Sequence, residues 1–369
     1  MAKFKSPKVI MITGAAGYLG AMLCDQFSKS PDLINIVAID KRPMPEILRH
    51  NKKIIWLTAN LYQNVWKIPA LINKPEVIIH CAWQDEELYG QTDLQKQLNI
   101  KSAKNLMEFA FASPFVKKII HLSSAQCYGA FPENQPEADQ PRADKSSWRF
   151  TEEDALRGDD YIYCKEKIEV EELLRNLFDQ SDKSKRVYIL RPVYITGPRK
   201  IQMTTKKELP DILRETLPVI PVTSADWSIQ YVHEDDFVDV VGLLTFTKAD
   251  EGEQFEILNI APSDLVYGKD LAEIFKKSAL SIPPILIRAI FFLIWNFSGG
   301  KKQVPAGLWR YLSFPVSVDG GRIEKKYGFE YLYTAREAVE TTGGRYVVPT
   351  GDLPKGEEYG MINSQDNQK

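Results

Sequence analysis

The stretch DDYIYCKEKIEVEELL, residues 159–174, holds two tyrosines, each followed four positions later by a lysine: Tyr161 with Lys165, and Tyr163 with Lys167. Residues four apart share one face of a helix, so either pair sets an ammonium beside a phenol. A free phenol ionises near ~10, too high for proton transfer at neutral pH, and a neighbouring cation favours the phenolate. Such a pair is a candidate general acid–base. A second stretch, HLSSAQCYG at 121–129, adds Ser123 and Ser124 at the end of an apolar run. A hydroxyl there can hydrogen-bond the oxygen of a reacting carbonyl or carbinol. Spacing alone leaves both Tyr/Lys registers open.

A third group is built to bind rather than react. In TGAAGYLG, residues 13–20, Gly14, Gly17 and Gly20 are spaced G-x-x-G-x-x-G. The run KVIMI precedes them, a helical pattern follows, and Asp40 closes the next apolar run 20 residues beyond Gly20. Strand, glycine turn, helix and a later acid make up the context of a dinucleotide cradle. Gly14 allows the turn, Gly17 lets backbone approach a pyrophosphate, and Gly20 lets the helix press on the strand. The phosphates then meet the N–H groups of the helix N-terminus. A carboxylate at Asp40 accepts hydrogen bonds from ribose hydroxyls and repels a 2′-phosphate, which favours NAD over NADP; Lys41 and Arg42 can offset that repulsion.

These groups need a scaffold that delivers them to one edge. Strands are predicted at 8–13, 34–40, 54–60, 76–82, 117–124 and 186–193, with helical stretches such as 18–29, 95–112 and 164–178 between them. The strands are near-continuous in Val, Ile and Leu, as a parallel sheet covered on both faces requires. The alternation predicts an α/β fold with a Rossmann-type doubly wound sheet over residues 1–200, to which 229–262 returns. Residues 201–345 read mainly as a smaller, helix-rich substrate-binding part, and 346–369 as a mobile tail. The segment from Ala130 to Trp148, with Pro132, Pro136 and Pro141, reads as a loop that either shapes the substrate mouth or is a solvated insertion.

Composition excludes several classes. The formal net charge of −2 gives no basic excess for nucleic acid. Cys24, Cys81, Cys127 and Cys164 lie far apart with no C-x-x-C spacing, which predicts free thiols and, with no apolar leader in MAKFKSPK, a cytoplasmic protein. Four histidines without paired spacing predict no metal site. PPILIRAIFFLIWNF, ending at Phe297, is too short to span a bilayer. A buried helix is the default reading, with a lid or a helix lying on a membrane surface as alternatives.

Glycine loop, strand-end serine and Y-x-x-x-K in this order resemble the extended short-chain dehydrogenase/reductases, the group that includes the NAD-dependent epimerases and dehydratases. EVIIHCAW (76–83), NIKSAKNLMEFA (99–110), LRPVYITGP (190–198) and YVHEDDF (231–237) extend the resemblance over roughly residues 8 to 340. It implies NAD as cofactor and a hydroxyl or keto group of a small molecule, a sugar or sugar nucleotide, as substrate. It places Ser124 in the catalytic position. It also favours Tyr161 and Lys165, because a small residue, Cys164, then precedes the lysine where the other register has Glu166. Glu169 and Glu171 fit the acid four positions after the lysine in the two registers equally. Around the cofactor it gathers Gly14, Gly17, Tyr18, Leu19, Gly20, Asp40, Lys41, Asn60, Leu61, Cys81, Ala82, Trp83, Asn99, Ser123, Tyr161, Lys165 and Pro192, and beside the substrate Ala125, Gln126 and Tyr194. A homodimer through the helices carrying NIKSAKNLMEF and the Tyr/Lys pair is the assembly it implies.

Departures from that pattern bear on the substrate. Tyr194 stands where sugar-nucleotide relatives carry an asparagine, and Ile229 where they carry an arginine aimed at the diphosphate. Arg199, Lys200 or Arg322 could supply another cation. Ala125 and Gln126 follow Ser124 where dehydratase-like relatives have an acid and a base, and neither can titrate. Oxidation, reduction and epimerisation through a ketone stay open, as does an apolar, hydroxysteroid-like substrate. A nucleotide-sensing protein without turnover is the reading from another class.

Overall fold

The structure, a computed structural model, describes residues 6–134, 149–158, 160–199, 212–247, 253–305, 307–341 and 344–345. Lys200, most of the loop before Trp148 and the tail expected at 346–369 lie outside the described residues. The first half of the chain runs β1 (Val9–Thr13), α1 (Tyr18–Ser28), β2 (Asn35–Asp40), β3 (Ile54–Thr58), α2 (Lys67–Asn73), β4 (Val77–His80), α3 (Thr92–Lys96), α4 (Ser102–Ala112), β5 (Lys118–Leu122), α5 (Ile162–Gln180) and β6 (Arg186–Pro192). The second half runs β7 (Tyr194–Thr196), β8 (Val219–Val222), β9 (Ser228–Ile229), β10 (Tyr231–His233), α6 (Glu234–Phe246), β11 (Phe255–Ile260), β12 (Val266–Tyr267), α7 (Gly268–Ile274), β13 (Ser278–Ser281), α8 (Pro284–Phe297), α9 (Leu308–Ser313), α10 (Gly321–Tyr327) and α11 (Ala335–Glu340).

Seven strands form one parallel sheet in the order β11-β6-β5-β4-β1-β2-β3. Alternate residues of each strand feed opposite layers. Ile10 and Ile12 pack with Met22, Phe27, Val240 and Leu244 beneath α1 and α6, while Met11 packs with Leu106, Phe109, Leu174 and Phe178 beneath α4 and α5. This is the doubly wound, Rossmann-type fold that the apolar strands predict. The strand order reverses between β1 and β4, and a crevice opens at the carboxyl ends of such a pair.

Beyond β6 the chain alternates between the sheet and a helix-rich part. β11 pairs with β6 at the sheet edge, whereas the short pairs β7–β10, β9–β12 and β8–β13 build the outer part around Trp227, Tyr231, Leu271 and Ile287. All four cysteines are free. The helix expected to be buried is the main departure. In α8 only Ile287 and Trp295 are buried, while Ile285, Phe292 and Phe297 are 69, 66 and 87 % exposed. Its apolar composition therefore does not report burial within this chain.

Candidate active site

The glycine loop folds as a cradle. Gly14 adopts φ +69°, and a Cβ there would come within 2.6 Å of the Ala82 backbone nitrogen, so the loop seats directly on the end of β4. Its carbonyl accepts the Gly17 N–H at 2.9 Å, and Gly17 is the N-cap of α1 without any side-chain cap. The first turn of α1 therefore presents backbone rather than a capping oxygen. Leu19 lies within that turn, and the Tyr18 hydroxyl is tied to Glu234 of α6.

Asp40 ends β2 beside this loop. Its carboxylate accepts the Ala16 N–H at 3.0 Å, the Arg42 N–H at 2.9 Å, and the Arg42 guanidinium through Nε at 3.2 Å and Nη2 at 3.3 Å. Lys41 turns to Gln84 at 3.2 Å; burial, with Arg42 beside it, lowers its pKa. Asn60 and Leu61 follow β3, Leu61 buried and Asn60 half-buried. An open helix N-terminus, a side-chain-free Gly17 and a carboxylate at the next strand end together fit a dinucleotide.

The reactive side lies at the ends of β4, β5 and β6. Here the structure places the two Tyr/Lys pairs differently. Lys165 is exposed on α5, and Tyr161, the N-cap residue of that helix, is buried against Cys127, Cys164, Tyr311 and Phe314. Tyr163 and Lys167 are the pair turned toward the strand ends. The Ser124 side chain lies near the Tyr163 hydroxyl and favours its ionised form. Lys167 is buried, donates to the Leu122 carbonyl at 2.6 Å and lies 3.8 Å from the Trp83 ring centre and 5.7 Å from that of Tyr163.

The physical reason is tertiary. Four residues beyond Lys167, Glu171 forms a buried fork with Arg191 of β6, 2.6 Å at its closest, and Arg191 also donates to the Tyr128 hydroxyl at 2.8 Å. This pair fixes the rotation of α5 and with it the face that meets the sheet. Glu169, the corresponding acid of the other register, is exposed. The position before Lys167 is not small, because Glu166 is employed there: it accepts from Asn99 at 2.6 Å and Gln95 at 3.4 Å. Asn99 lies in the wide π-helical turn Gln97–Lys101 and also grips the Gln84 backbone, accepting its N–H at 2.7 Å and donating to its carbonyl at 2.9 Å. Such turns recur at functional sites.

Ser123 and Ser124 part company. The Ser123 hydroxyl is committed to Glu171, whereas Ser124 caps the short turn Ala125–Tyr128, accepting the Gln126 N–H at 3.2 Å, and meets Tyr163. The Ser123 side chain is thus engaged in a structural contact. Cys81 and Ala82 cross the end of β1, their N–H groups donating to the Thr13 carbonyl and the Thr13 hydroxyl respectively, and burial pushes the Cys81 thiol up to about 12, so it is inert as a nucleophile. Pro192 ends β6. Ala125, Gln126 and Tyr194 line one small cavity with Val193, Tyr311 and Val316. Tyr311, from α9, donates to the Gln126 carbonyl at 3.0 Å; sequence spacing gave no sign of it, being 185 residues distant.

Electrostatics follow burial. Burial holds the Tyr163 phenol well above its ordinary value, opposed by the nearby Ser124 side chain, so it is protonated at neutral pH. Burial pulls Lys167 down to about 8. His80 and His121 stack at 5.3 Å on neighbouring strands, and burial, with Lys167 nearby, lowers both, His80 to about 3. His233 caps α6 by accepting the Asp235 N–H at 3.1 Å, while Asp236 accepts the Leu332 and Tyr333 N–H groups. Of the cations that could meet a diphosphate, Arg199 is buried near Asp25 and Arg322 is paired with Glu152 and Glu153. No His/Cys/Asp/Glu cluster suited to a metal occurs among the described residues.

Comparison with known proteins adds the family. The model of the NAD dependent epimerase/dehydratase family matches residues 10–261. An uncharacterized protein of Mycobacterium tuberculosis is 25 % identical over 345 residues, covering 90 % of this chain and 83 % of its own. The decarboxylating sterol-4-alpha-carboxylate 3-dehydrogenase of Candida albicans is 28 % identical over 207 residues, 54 % of each chain. Among solved structures, the UDP-glucuronic acid 4-epimerase of Bacillus cereus, in complex with UDP-glucuronic acid and NAD, superposes with a TM-score of 0.66 at 17 % identity, covering 90 % of this chain and 96 % of that one.

Proposed function

The chain belongs to the NAD-dependent epimerase/dehydratase family, and from that premise we propose that Ser124, Tyr163 and Lys167 act on a hydroxyl or keto group of a small molecule. The observation that carries this is the place of Ser124 beside the Tyr163 phenol, with the Lys167 ammonium 5.7 Å from the tyrosine ring centre. Two hydroxyls then meet on one substrate oxygen. Gly14, Gly17, Gly20 and Asp40 would hold the dinucleotide, whose nicotinamide supplies hydride transfer when bound.

Tyr163 holds the proton at neutral pH and gives it to an oxygen that gains negative charge; Ser124 orients that oxygen. The Lys167 charge, held at a fixed distance by Leu122 and Trp83, stabilises the phenolate left behind. Trp83 and the Asn99–Glu166 network position the lysine and its helix. Because Ala125 and Gln126 cannot titrate, the set serves oxidation, reduction or epimerisation through a ketone rather than an elimination relying on that pair.

A sugar or sugar nucleotide is the substrate class the family favours. A second reading, an apolar alcohol or ketone, is favoured by the cavity beside Ser124: Ala125, Val193, Tyr194, Tyr311 and Val316 line it with one amide and no cation. A homodimer through α4 and α5 is the proposed assembly, to be checked by sedimentation.

The test is a single turnover of NAD-loaded protein with UDP-glucose and with a hydroxysteroid, followed by absorbance of reduced nicotinamide. Tyr163→Phe and Lys167→Met should lower the rate by roughly 10²–10⁴-fold. Tyr161→Phe and Lys165→Met should leave most of it. The opposite pattern would refute the register.

A further inference from the structure

The exposed helix α8 is absorbed by none of this. Ile287, Phe291 and Trp295, spaced four apart, form the stripe that holds it to the body: Ile287 and Phe291 join the core around Trp227, and Trp295 meets Tyr89 edge-on at 5.2 Å. Ile285, Leu286, Ile290, Phe292, Leu293, Ile294 and Phe297 are all exposed. At about 100° per residue they cover more than half the helix circumference. Leu280 of β13, four residues before the start of α8, is 50 % exposed as well. Monomeric soluble proteins rarely expose an apolar patch of this breadth without a function for it.

Two features choose the occupant. A protein groove takes one stripe of a helix, spaced i, i+3/i+4, i+7; an apolar arc this wide suits a continuous hydrocarbon layer instead. Charge points the same way. Residues 274–318 contain no Asp or Glu but do contain Lys276, Lys277, Arg288, Lys301, Lys302 and Arg310, in a chain whose net charge is −2. Arg310 is paired with Asp160, and Lys277 donates to the carbonyls of Leu213, Arg214 and Leu217. Lys276, Arg288, Lys301 and Lys302 are exposed. An apolar helix in a segment that carries exposed cations and no acid of its own complements anionic headgroups.

We propose that α8, with the adjoining edge of β13, docks into the interfacial layer of an anionic lipid bilayer. At ~1.5 Å per residue its 14 residues extend about 21 Å, short of the ~30 Å hydrocarbon core, so it lies in the interface and does not cross. No helix among the described residues is long and apolar enough to cross a membrane. The proposal stands independently of the Ser124–Tyr163–Lys167 reading.

Full-length protein is floated with vesicles of phosphatidylcholine alone, or with roughly three-tenths phosphatidylglycerol. Wild type should float with the anionic vesicles, less so as salt is raised, and less with the neutral ones at any salt. Phe292→Ser/Leu293→Ser/Phe297→Ser alters outward side chains only; thermal unfolding checks that the fold survives. It should lower partitioning by about tenfold or more, and Lys301→Glu/Lys302→Glu should remove the preference for anionic lipid. Failure of wild type to float, or equal flotation of the apolar variant, overturns the proposal. So does a wild-type dimer that the apolar variant converts to monomer without any lipid binding, which would assign the face to a second copy of the chain.

Discussion

The burial of Lys167 can be tested without knowing any substrate. Its pKa falls from the ordinary lysine value of 10.5 to about 8 because burial penalises the charged form. As pH falls below 10.5 the unfolded chain takes up this proton while the folded chain stays neutral until about 8. The unfolded state then binds more protons, so stability rises with pH across that window and is level below it. The difference corresponds to about 3 kcal/mol, carried in full as a penalty at neutral pH. Lys167→Met removes it but leaves the Leu122 carbonyl without its partner, at a cost of ~1–3 kcal/mol. At pH 7 the variant should therefore match wild type or exceed it by up to about 2 kcal/mol. The assay is urea unfolding at several pH values from 7 to 10.5. Lys118, also lowered to about 8 by burial, titrates in the same window; the difference between wild type and variant cancels its contribution. The stability gain with rising pH should be smaller in Lys167→Met by about 3 kcal/mol and unchanged in Lys165→Met. Equal slopes for wild type and Lys167→Met would refute the burial argument, and a flattened slope for Lys165→Met would restore the other register.

Two further outcomes follow from the same geometry. Glu171→Gln strands the buried Arg191 charge and should cost ~3–5 kcal/mol in urea unfolding, with the paired change Glu171→Leu/Arg191→Met recovering much of it; an unchanged midpoint for the single variant would mean that the fork does not fix α5. Asp40→Ala removes a charge-assisted acceptor worth ~1.5–3 kcal/mol, so NAD should bind roughly 10- to 100-fold more weakly by calorimetry, while the released Arg42 improves NADP relative to NAD. Unaltered affinity for both would show that Asp40 does not meet the ribose.

What was legible in the sequence was what is decided locally. The sheet follows from runs such as VIMIT and NIVAID, apolar at consecutive positions in their interiors because both faces are covered. The cradle follows from three glycines whose roles depend on neighbours within a few residues. The Tyr/Lys register was not legible, because Tyr161/Lys165 and Tyr163/Lys167 have the same spacing on the same helix. What separates them is a buried fork with Arg191, 20 residues on, and the Trp83 ring, 84 residues back. The small-residue argument failed for a related reason: Glu166 is tolerated before Lys167 because Asn99, 67 residues away, receives it. The apolar run at 284–297 misled in the other direction, since composition records that a surface avoids water but not which layer covers it.

The two halves of the molecule meet at α9. It packs on α8 and carries Tyr311, whose hydroxyl reaches the Gln126 carbonyl and the Cys164 thiol, and whose ring lies 5.4 Å from that of Tyr161. Tyr161 thus belongs to the wall that separates the apolar outer part from Ser124 and Tyr163, two residues further along the chain. One helix therefore borders both the small cavity beside Ser124 and the exposed apolar surface. A substrate as polar as a nucleotide diphosphate would need a cation at this cavity. Among the described residues none lines it, and Arg199 and Arg322 are paired with carboxylates elsewhere. An apolar alcohol or ketone would need what is present: aromatic and aliphatic walls, with two hydroxyls converging on its single oxygen.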